Sequence, residues 1–78
     1  MSNNNNQPPP WSEAPPWAKY RAQDKDGWWC FYKYEPCVSQ YDWVYSDIIF
    51  SSEYYILAKK GVQTPKWKTT LQKRPENE

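Results

Sequence analysis

A chain of 78 residues has room for a single domain, and its ten basic and nine acidic side chains leave a formal net charge of +1. No overall field therefore draws it toward nucleic acid or an anionic membrane. It holds no apolar run of the roughly 18 to 20 residues that spans a bilayer, and its first residues lack the basic and apolar regions of a signal peptide.

A cytoplasmic chain is expected from this, with Cys30 and Cys37 as free thiols, because reducing compartments disfavour bridges. What the composition does supply is rings, six tryptophans and seven tyrosines. Each large ring buries roughly 150 to 250 Å², so a thin sheet can hold together on them without a disulfide or a metal. The supply also exceeds what one small core uses, which points to rings displayed for a partner.

Residues 1–10 are polar and proline-rich and are expected to form a disordered tail, with polyproline II character over 8–10. A single domain is expected over 11–75, loosening from Arg74, with 76–78 frayed. Residues 11–17 read as an extended lead-in, since a residue before proline avoids the helical region, and Trp11 and Trp17 read as anchors across a sheet.

A β-hairpin is predicted over 17–35. Its loop follows from pairing: a slip of one residue moves every side chain to the other face. A loop of Lys25, Asp26 and Gly27, with Gly27 left-handed in a bulge, sets Asp24 opposite Trp28, Ala22 opposite Cys30, Tyr20 opposite Tyr32 and Ala18 opposite Tyr34. One face is then Ala18, Tyr20, Ala22, Cys30, Tyr32 and Tyr34, and a loop of Asp26 and Gly27 alone mixes the faces. The other face carries Arg21, Trp29, Phe31 and Lys33, with Arg21 placed to cover the Phe31 ring. Trp29 and Phe31 are either roofed by 11–17 and the C-terminal strand or form an open patch.

A third strand is predicted over 41–45, where rings alternate with smaller residues. Residues 46–60 allow a short helix capped by Ser51 or Ser52 and ending before Gly61, or a fourth strand through Tyr54, Tyr55, Ile56 and Leu57; the strand is preferred. Residues 66–71 read as a last extended piece with Trp67, Thr69 and Leu71 on one face. The expected fold is mainly β, a small antiparallel sheet of three to four strands around a central hairpin, with at most one short helix. Charge is uneven: 59–74 holds six cations and no acid, while 41–55 holds Asp42, Asp47 and Glu53 and no cation.

Catalysis has little to work with. The chain has no histidine, no glycine-rich phosphate loop and no nucleophile with a visible base, so a non-enzymatic role without cofactor or metal is expected. The run Asp24-Lys25-Asp26-Gly27 resembles the opening of a calcium loop, yet the later oxygen ligands are missing and a turn explains it. Cys30 falls inside the hairpin face, where a buried thiol is inert, and Cys37 is the more reactive.

The candidate binding residues are Arg21, Trp29, Phe31 and Lys33 on the hairpin, and Lys66, Trp67, Lys68 and Arg74 in the basic stretch. Interleaved rings and cations suit single-stranded nucleic acid, but the near-zero net charge favours a protein partner. A free sheet edge offers strand addition as a second route, and a homodimer is a further option that thickens the core.

Three pieces of the chain resemble small phage and prophage proteins of unknown function: 11–15 (W-x-x-A-P), 22–29 running on to Glu35-Pro36 (A-x-D-x-D-G-x-W), and 67–75 (W-x-x-x-L-x-x-R-P). Residues 37–66 have no counterpart. The resemblance implies a viral origin, residence in the host bacterial cytoplasm, and an accessory protein that binds a host or viral protein. A structural role in the virion is the alternative, and no catalytic residue carries over.

Overall fold

In the computed structural model the described residues are 7–45 and 54–78. The central hairpin is β1, Tyr20–Gln23, and β2, Trp28–Tyr32, with Tyr20 opposite Tyr32 and Ala22 opposite Cys30. The bulged loop is therefore the one that forms. Asp24 N–H donates to Trp28 O (2.9 Å), Gly27 N–H to Asp24 O (3.0 Å), and Trp28 N–H to Asp26 Oδ1 (3.1 Å). Gly27 has φ 99°, and a Cβ there would stand 2.6 Å from the Gly61 carbonyl oxygen. Handedness and space both require glycine.

Four further strands lie among the described residues: β3, Cys37–Val38; β4, Trp43–Val44; β5, Tyr55–Lys60; and β6, Gln72–Lys73. The main sheet has four antiparallel strands in the order β5-β2-β1-β6. Strand is the outcome over 55–60, and the predicted capping serines of the helical alternative lie outside the described residues. The predicted third strand is only β4, and it pairs with β3 in a separate two-stranded ribbon.

Each face of the sheet is covered by indoles. On one, Ala22, Cys30 and Tyr32 pack with Trp43 and Trp67. On the other, Phe31 packs with Trp11 and Ala18, flanked by Ala14, Trp17 and Ala58. Ala18 thus joins the Phe31 side rather than the Tyr20 side, because it precedes β1 in a turn closed by its N–H donating to Pro15 O (3.0 Å).

The lead-in is not wholly extended. Trp11–Glu13 forms one 3₁₀ turn between extended Pro10 (φ −68°, ψ 149°) and Ala14 (φ −83°, ψ 149°). This turn lays the Trp11 ring 5.8 Å from Phe31. Order also reaches into the proline run: Pro9 is buried and its carbonyl accepts from Arg21 Nη1 (2.7 Å).

Trp67–Thr69 is likewise a 3₁₀ turn, not the start of a strand. Thr70 explains the break. Its Oγ1 donates to Trp67 O (2.7 Å) and accepts from Gln23 N–H (2.9 Å), so a hydroxyl in place of a backbone carbonyl serves the end of β1.

Arg74 does not fray. Its N–H donates to Lys19 O (2.8 Å), Nη1 donates to Pro15 O and Ala18 O (both 3.1 Å), and Nη2 donates to Trp11 O (3.5 Å) and Glu78 O (2.7 Å). The guanidinium lies 5.6 Å from the Trp11 ring centre, and residues 75–78 close a turn through Glu78 N–H to Pro75 O (3.1 Å). Only a planar fork reaches these carbonyls together. Arg74→Lys, which keeps the charge and loses the fork, is expected to cost about 2 kcal/mol, seen in thermal melts as a midpoint about 10 °C lower.

Candidate functional site

The residues expected to bind do not form one surface. Trp29 and Phe31 are 3% and 2% exposed, so the roofed arrangement holds and the open patch does not exist. The roof over Phe31 is the 11–18 stretch, while the C-terminal strand β6 joins the sheet edge instead. Arg21 is opposite Phe31 as predicted, yet its guanidinium covers Trp11 (4.3 Å) and Nε donates to Gln72 Oε1 (2.7 Å). Trp67 is buried on the opposite face from Phe31, with Lys68 Nζ 5.6 Å from its ring centre and Lys66 exposed beside it. Arg21 and Arg74 converge on Trp11 as structural ties. Lys33 stands apart, its Nζ 5.4 Å from both the Tyr34 and Tyr54 rings.

A different site emerges where the ribbon meets the sheet. Trp43 docks β4 through three bonds: its N–H donates to Asp24 Oδ1 (2.9 Å), and Nε1 donates to Gln23 O (3.0 Å) and Trp67 O (3.4 Å). Tyr32 Oη donates to Trp43 O (3.4 Å) from the sheet side. The tight turn of the ribbon is held by Ser39, whose N–H donates to Asp42 O (2.7 Å) and whose Oγ donates to Asp42 Oδ1 (2.6 Å).

Two short strands cannot cover a four-stranded face, and a cleft of about 380 Å³ remains. Buried Cys30 and Tyr32 of β2 line it with Tyr55 and Leu57 of β5, and Trp43, Val44 and Tyr45 line it from the ribbon. The rings brace each other: Tyr45 meets Tyr32 edge-on at 5.8 Å, and Tyr55 stacks on Tyr32 at 6.2 Å. Tyr45 Oη donates to Tyr54 O and accepts from Lys33 N–H (3.2 Å), which ties the ribbon end to the start of β5.

Among the described residues the charged groups on the lining are Asp24 and Asp42. Burial pushes the Asp24 carboxyl up to about 6; Trp43 N–H opposes this and the neighbouring Asp42 and Asp26 add to it. Burial also pushes the Cys30 thiol up to about 12, with the Asp24 charge second, and raises the Tyr32 hydroxyl. Neither group is a nucleophile near neutral pH. Cys37 is exposed on the ribbon.

The cleft opens beside the sheet edge at β5. Lys33 N–H donates to Tyr54 O (2.9 Å), and Ile56 faces Phe31 two residues on. Antiparallel ladders alternate, so the N–H and C=O of Tyr54 and Ile56 point to β2, and those of Tyr55 and Leu57 point outward.

Among the described residues β5 has no second strand partner. Its residues Tyr55, Ile56 and Leu57 are 40%, 45% and 57% exposed. Sequence reasoning missed Asp24, Asp42, Tyr45, Tyr55 and Leu57 as site residues. For Asp42, Tyr45 and Tyr55 the available signal was the acidic, ring-bearing stretch 41–55, which has no cation.

Two outcomes follow. A thiol reagent at neutral pH is expected to modify Cys37 alone in the folded chain and both cysteines in denaturant, counted by mass spectrometry. For Asp24, the folded state holds a proton that the unfolded chain, with its ordinary value of 3.8, releases between about pH 4 and 6. Its contribution to stability is complete below that window and lost as pH rises through it. Asp24→Asn should therefore gain thermal midpoint relative to the parent between pH 4 and 7. No protein-family model, curated protein or solved structure matches the chain.

Proposed function

We propose that this chain is a non-enzymatic, stoichiometric protein-binding module that takes an extended segment of its partner along the outer edge of β5. The observation that carries this reading is the contrast between the two sheet edges. β6 has two residues and ends in Lys73, the usual way of blunting an edge, whereas β5 has six residues and exposes three consecutive apolar side chains.

Lys59 and Lys60 guard only its far end. An added strand would gain main-chain bonds at Tyr55 and Leu57 and select side chains at the cleft. The resemblance to small phage proteins makes a host or viral protein the natural partner. Nucleic acid is disfavoured because Trp29, Phe31 and Trp67, the rings expected to stack on bases, are buried.

The test is affinity capture from bacterial lysate, with and without nuclease, using the parent chain, Leu57→Ala and Leu57→Pro. Proline is tolerated where an edge N–H faces outward, so Leu57→Pro removes the outward donor and spares β2. A discrete protein is expected to survive nuclease, to persist with Leu57→Ala and to be lost with Leu57→Pro. Loss of everything on nuclease treatment would replace the reading with single-stranded nucleic-acid binding, and capture indifferent to Leu57→Pro would remove the edge from it.

A further inference from the structure

The geometry points to a ligand class for the cleft: we infer that it receives an organic cation, the basic side chain of the partner segment laid along β5. Three observations converge. Four rings, from Tyr32, Trp43, Tyr45 and Tyr55, line one cavity, and aromatic faces attract ammonium and guanidinium groups most strongly when water is excluded.

Two carboxylates, Asp24 and Asp42, share that lining, which among the described residues holds no lysine or arginine. Among the described residues the charges that raise Asp24 are the acids Asp42 and Asp26, so like charges gather at this end of the cleft. Asp24 and Asp42 also line the neighbouring hollow, together with Lys25, Asp26, Tyr41 and Gln63, and there the Lys25 Nζ lies 5.1 Å from the Tyr41 ring centre. Third, Tyr55 and Leu57 belong to both the cleft and the edge. An added strand presents alternate side chains to one face, so every second residue of the partner reaches the rim.

The inference rests on strand addition for the source of the cation, while the cleft itself can be probed alone. The experiment is an NMR titration of the whole chain with N-acetyl-arginine methylamide, N-acetyl-lysine methylamide and the neutral isostere N-acetyl-citrulline methylamide, followed at the Trp43 indole N–H. A saturable shift is expected with both basic probes, with Kd on the order of 1 to 10 mM, and at least tenfold weaker with citrulline. Asp24→Asn and Asp42→Asn, each keeping an amide oxygen for its hydrogen bonds, should weaken the basic probes several-fold while the spectrum stays dispersed.

Binding should also tighten from pH 5 to pH 7.5, as Asp24 ionises beside Asp42, Asp26 and Lys25. A response to citrulline equal to that of arginine, or no saturable shift at Trp43, overturns the inference. Probe binding without any captured protein upholds the cationic cleft and removes strand addition. A captured protein without probe binding does the reverse.

Discussion

A four-stranded sheet has two faces, and among the described residues this chain has no helix to cover either. The constraint is met by indoles carried on segments that are barely structured in themselves. Trp11 covers one face from a single 3₁₀ turn, and Trp43 and Trp67 cover the other from a two-residue strand and a second turn. Such segments cannot hold position through local hydrogen bonds alone. Each is tied instead to the sheet by polar contacts of long reach: Arg74 and Arg21 grip the backbone around Trp11, and Gln23 O and Asp24 fix Trp43. The rings supply the buried area and the polar ties supply the address.

The two faces are finished to different degrees. The Phe31 side is roofed by chain that runs directly into β1, so its cover is continuous with the sheet. The Cys30 side is covered by a ribbon of four paired residues, and the gap beside it is the acidic, ring-lined cleft. The unfinished face borders the unblunted edge, and Tyr55 and Leu57 are shared between them.

The hairpin was legible because two independent signals agree: alternation fixes the pairing of Ala22 with Cys30, and only a glycine satisfies the turn at Gly27. Strand β5 was legible from its ring and β-branched residues. The turns at Trp11 and Trp67 were not. In the second, an alternating pattern was overridden by Thr70, whose hydroxyl bonds depend on β1 lying alongside.

Arg74 looked like a loose end because its partners are some sixty residues away in sequence, as with Trp11. The cleft was illegible for a similar reason. Asp24 read as a turn residue, and nothing local says that Asp42 shares its cavity.

Asp24 carries a consequence of its own. Its backbone closes the hairpin loop while its carboxylate fastens the ribbon through Trp43, so one residue ties the four-stranded sheet to the two-stranded ribbon. A ribbon of two residues per strand is the unit that opens first on its own. Any occupant that draws on Asp24 therefore works against that opening, and free energy of association is spent partly as local order. The cleft and the ribbon form a coupled equilibrium, in which filling the one steadies the other.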